Sequence, residues 1–128
     1  MVRRTLNLQN GRDRQKLYFE FNTEAHMEEF NRLHAEVIKA ELAMKKDGTS
    51  TAAEQYGTAL MAFYRLIFGE ANARALEAWY GDNVLGMISE INPFIRSVVL
   101  PDVERCSATR AAHMRREFLR KQKRAAKS

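Results

Sequence analysis

Cysteine is almost missing from this chain: Cys106 stands alone. A single cysteine can neither close an intramolecular disulfide nor supply a zinc cluster, and it fits a reducing compartment. Proline occurs only as Pro93 and Pro101. No apolar run approaches the roughly 20 residues of a membrane span. The basic start MVRRTLNLQN has no apolar segment of the signal-peptide kind. The expected location is therefore the cytoplasm, without a membrane partner. A length of 128 residues argues for one domain, able to bury roughly two-thirds of the surface its unfolded chain exposes.

Catalytic and metal motifs are missing too. The residues three before His26, His34 and His113 are Thr23, Asn31 and Arg110, so the Glu-x-x-His pattern of carboxylate-bridged metal bundles does not occur. There is no HExxH, and Gly81 and Gly86 are followed by no GK[ST] phosphate loop. Cys106 would need a neighbouring base to act as a nucleophile. His34 lies beside an apolar helical stripe and reads as a boundary residue. Glu24, Glu28, Glu29 and Glu36 fall mostly off that stripe, on a solvated face. No metal or cofactor is expected, and the chain reads as a non-enzyme.

Charge is present but uneven. Residues 1–100 hold 12 Lys/Arg against 13 Asp/Glu, a net of −1, whereas residues 101–128 hold 9 against 3, a net of +6. The pI of about 9.6 thus describes the C-terminal segment rather than the whole chain. Arg110, Arg115, Arg116, Arg120, Lys121, Lys123 and Arg124 form a candidate partner-binding arm. Phe118 is its only aromatic residue, which does not favour stacking on single-stranded nucleic acid.

The elements follow from periodicity. Leu6 and Leu8, then Leu17, Phe19 and Phe21, alternate with polar residues, which predicts an antiparallel pair over 3–9 and 16–22 joined by a long loop. At Thr23, read as an N-cap, the period changes to that of a helix. Phe30, Leu33, Val37, Ala40 and Met44 mark a stripe along residues 24–46. Thr51 with Glu54 reads as a capping box for a second helix carrying Tyr56, Leu60, Phe63 and Ile67. Gly69 and Gly81, each just past an apolar cluster, predict two helix ends with left-handed caps. Between them a short third helix turns Leu76 and Trp79 inward. Asp82 or Asn83 opens a fourth with Val84, Leu85, Ile88 and Ile91, and Asn92-Pro93 begins another helical piece. Pro101 is read as the end of the packed domain, so residues 1–100 are expected to fold without the 101–128 arm.

The expected fold is therefore α+β and mainly α-helical: an N-terminal β-hairpin on a compact bundle of about four to five helices, with a basic, helix-prone C-terminal arm. Phe63, Ile67, Phe68, Gly69, Trp79, Gly81 and Pro93 are its structural markers.

The order of these features resembles a known family. Phe19 and Phe21 end the hairpin; Phe63, Tyr64, Ile67, Phe68, Gly69 and Glu70 form a central run; Ala73, Gly81, Pro93, Phe94 and Ile95 follow. Over roughly residues 5–96 this is similar to the small tail assembly chaperones of long-tailed bacteriophages of Gram-positive hosts. Ala71 stands where that pattern usually has a second glycine. The resemblance implies a protein without catalysis that coats the tape-measure protein and helps tail-tube subunits assemble around it. It also implies self-association, the host cytoplasm as location, and absence from the mature virion. The alternative is a small basic DNA- or RNA-binding regulator that acts through the arm.

Overall fold

The computed structural model describes residues 1–127; Ser128, the end of the basic arm, lies outside the described residues. The fold is α+β, as the periodicity predicts: an antiparallel hairpin of β1 (Val2–Asn10) and β2 (Asp13–Phe21), then helices. The connection is tighter than expected. Asn10 pairs with Asp13, leaving a two-residue turn at Gly11-Arg12. Polar residues extend both strands because this end of the ribbon is solvated on both faces. Further along, Leu6 pairs with Leu17 and Val2 with Phe21, and all four side chains are buried on one face.

Helix α1 (Thr23–Asp47) lies against α2 (Ser50–Phe68). Two caps differ from the sequence reading. Asn22, not Thr23, caps α1 by accepting from the Ala25 amide, and Thr49, not Thr51, caps α2 by accepting from Ala52. Thr23 is used elsewhere. Its buried hydroxyl donates to Asp102, 2.5 Å away and 79 residues on.

The core centres on α2. Leu60, Tyr64 and Ile67 have no exposed surface, and Phe63 and Phe68 are buried beside them. Phe19 of the hairpin meets Phe68 edge-to-face at 4.8 Å, and Phe30 of α1 lies 5.0 Å from Phe63. Burial pushes the Tyr64 phenol well above its ordinary range. It stays a donor, to Asn92 Oδ1 at 2.5 Å.

Helix α3 (Glu70–Tyr80) turns Ala73 and Leu76 into this core. Trp79, expected there, is only half-buried and packs at the margin. Gly69 and Gly81 do break the chain at positive φ, but neither is a left-handed αL cap. Gly69 has φ 90° and ψ 163°, and Gly81 has φ 55° and ψ −122°. At Gly69 the backbone runs on extended, which turns α3 away from α2 within one residue; Gly81 is the first central residue of a tight turn closed by the Asn83 amide donating to the Tyr80 carbonyl. Nothing lies within 4 Å of a Cβ built at Gly69. The Gly69→Ala penalty is therefore pure backbone strain, about 1–3 kcal/mol for a region that only glycine enters readily. A thermal melt of Gly69→Ala checks this, and an unchanged midpoint would contradict the geometry.

The largest difference from the sequence reading lies further on. Helix α4 (Val84–Phe94), capped by Asn83, runs through a π-turn at Ile95–Val99 straight into α5 (Leu100–Lys127). Asn92-Pro93 starts no new helix, and Pro101 ends none. Each proline removes one i→i−4 hydrogen bond. The π-turn between them shifts the ladder, with the Leu100 amide reaching back to Ile95. Packing holds the helix through the defect: Ile95, Val99 and Val103 are all buried. One 18-residue window of this continuous helix, of mean hydropathy 1.2, is apolar enough by length and composition to cross a membrane. Its Met87, Ile91, Ile95 and Val99 side chains face the core.

Candidate partner-binding site

Two surfaces stand out. The first is an open groove of about 500 Å³ where α1 and α4 diverge above α2. Its floor is Phe63, on which the His34 ring stacks at 5.5 Å with the planes 17° apart. Burial lowers the His34 pKa, so the neutral imidazole is favoured there. Val37 and Ile38 form the α1 wall, and Ile88 and Pro93 form the α4 wall. Pro93, expected to be structural, is exposed on this rim. It has no N–H to offer the Ser89 carbonyl one turn back.

Apolar side chains continue both walls. Leu42 follows Ile38 by one turn and is 62% exposed. Leu85, one turn before Ser89, is 79% exposed, and Val84 is also exposed. With the apolar part of the groove these side chains make a candidate docking surface. The sequence reading listed Val84 and Leu85 among the apolar residues of the fourth helix without separating them from buried Ile91. Ile38 and Leu42 did carry a signal: they are four residues apart and fall off the Phe30–Met44 stripe, which leaves a second apolar row on α1.

The second surface is α5. Its first turns pack on α1, where Asp102 accepts from Thr23 and lies 3.5 Å from the N-terminal ammonium. The Thr23 hydrogen bond above all, with the ammonium and Arg105 against the opposing effect of partial burial, holds the Asp102 carboxyl below its ordinary value. Cys106 is half-buried here and lines a cleft of about 480 Å³ with Glu24, Met27, Arg110 and His113. Among the described residues it makes no hydrogen bond to His113, and no group of three His, Cys, Asp or Glu side chains could hold a metal ion.

The candidate arm residues divide at Arg110, which pairs with Glu28 of α1 at 2.9 Å. Arg115, Arg116, Arg120, Lys121, Lys123 and Arg124 lie beyond it, all exposed on the free end of α5. Arg120 pairs with Glu117 of its own helix at 3.2 Å. The two surfaces therefore differ in chemistry: the groove has a mixed lining, with Glu41, Ser89, Asn92 and Arg96 beside its apolar residues, whereas the end of α5 is basic and exposed. Compared with known proteins, the chain matches no family model, no curated protein and no solved structure.

Proposed function

We propose that this chain is a non-catalytic phage tail assembly chaperone that binds and solubilises the tape-measure protein and helps the tail tube assemble around it. The observation that carries this reading is the open α1–α4 groove, lined by Val37, Ile38, Phe63 and Ile88, with exposed Leu42 and Leu85 further along the same two helices. An amphipathic client helix docks in such a groove through apolar residues at spacings of three and four. The resemblance around Phe63–Glu70 supplies the client's identity. Tail-tube protein and further copies of the chain are its other partners, the host cytoplasm its place of action, and it is absent from the finished virion.

The test is co-expression of the full chain with the tape-measure protein encoded downstream. The expected result is a soluble complex that co-purifies. Ile38→Asp and Leu85→Asp should each weaken recovery about tenfold, because a charge in a buried apolar contact opposes docking. The net +6 of residues 101–128 favours one rival reading, a DNA- or RNA-binding regulator. An insoluble client, combined with tight and steeply salt-dependent binding of DNA by the full chain, would replace the chaperone reading with that one.

A further inference from the structure

Among the described residues the outer half of α5 is almost wholly exposed, yet it is patterned. From Ala111 to Ala126 every side chain is exposed except Ala112 and Glu117, which are half-buried. Val103 and Ser107 face α1, and Ser107 touches Met27 there. Met114 and Phe118 follow Ser107 by seven and eleven residues, two and three turns, so they continue the same face outward. They are 65% and 61% exposed, and Leu119 beside them is 51% exposed. Ala111 lies along this side, and Arg115 borders it on one edge and Lys121 on the other. The opposite side carries Arg116, Arg120, Lys123 and Arg124 at spacings of three and four.

We propose that this projecting half of α5 is a docking helix for an acidic amphipathic helix of a partner protein. Met114 and Phe118 enter its apolar seam, and the flanking arginines and lysines meet its carboxylates. Charge selects this occupant: residues 111–127 hold seven Lys/Arg against one Glu. The same charge argues against a second copy of this segment, since pairing two of them sets like charges side by side. The small Ala111 side chain lets a neighbouring helix come close, to the 8–10 Å of ordinary helix packing. A phosphate backbone requires only the charges and leaves three large exposed apolar side chains without a role. The seam is continuous with the α1–α5 contact, so a bound helix extends a layer the chain already builds. This surface is separate from the groove, and the proposal holds whatever occupies the groove.

The experiment titrates the full chain into a labelled synthetic helix with a Leu/Ala seam flanked by Glu, read by fluorescence anisotropy. A peptide of the same composition, scrambled to destroy the seam, is the control. The expected result is binding about tenfold tighter to the amphipathic peptide than to the scrambled one, a preference lost in the Met114→Ser/Phe118→Ser double variant. Arg115→Glu/Lys121→Glu, which reverses the two charges that flank the seam, should abolish binding to both peptides. All variants should keep the parent melting point, since these side chains are exposed. Equal affinity for the two peptides, or indifference to the Met114/Phe118 change, would overturn the proposal. So would tighter binding of duplex DNA or of phosphatidylglycerol vesicles through the same residues.

Discussion

Ending the chain after Leu100 should cost a large share of its stability, whereas ending it after Arg110 should cost little. Val103, at 1% exposure, leaves the core in the shorter form, a loss of about 1.5–3 kcal/mol from its burial alone. Thr23 then keeps a buried hydroxyl without its Asp102 partner, a further loss of about 1–3 kcal/mol. Together these come to about 2.5–6 kcal/mol, a large share of the total stability of about 5–15 kcal/mol typical of such a domain. Residues past Arg110 bury almost nothing, so the longer truncation keeps these contacts. Thermal melts followed by circular dichroism on residues 1–100, residues 1–110 and the full chain distinguish the cases. Equal midpoints for the first and last would return the domain boundary to Pro101.

Phe63→Ala carries the second large effect. Phe63 is 3% exposed, touches Phe30 at 5.0 Å and supports the His34 ring at 5.5 Å. Removing a buried aromatic side chain costs about 3–5 kcal/mol, because the transfer and cavity penalties add. Trp79→Ala should cost clearly less, since the indole lies half-buried at the core margin. Urea unfolding of both variants tests the order. If Trp79→Ala were the more damaging, the core would centre on α3 rather than α2. Phe63 is also the groove floor, so its loss should weaken client binding even where folding survives.

Local rules predicted what local interactions decide. Alternation in Leu17-Tyr18-Phe19-Glu20-Phe21 is a property of the ribbon itself, and so was legible. The Phe30–Met44 and Tyr56–Ile67 stripes predicted helices for the same reason. The caps were displaced by one or two residues because Asn22, Thr23, Thr49 and Thr51 can all cap. The choice at Thr23 is settled by Asp102, which no nearby residue announces. Pro101 misled for a similar reason: burial of Val99 and Val103 outweighs a local helix-breaking preference, and the π-turn absorbs the mismatch. The groove was least legible, because an exposed Leu85 and a buried Ile91 look alike in sequence and differ only in what packs against them.

The helix that runs from Val84 to Lys127 without a break also fixes a distance. Ile88 lies in the groove and Phe118 on the free end, thirty residues apart, or about 45 Å along a helix rising 1.5 Å per residue. A flexible linker would let two bound molecules wander relative to each other and would dilute one around the other. A stiff strut instead holds them at set separation and orientation, its one soft point being the π-turn between the two prolines. A molecule docked in the groove would thereby stand at a set distance and orientation from the basic tip.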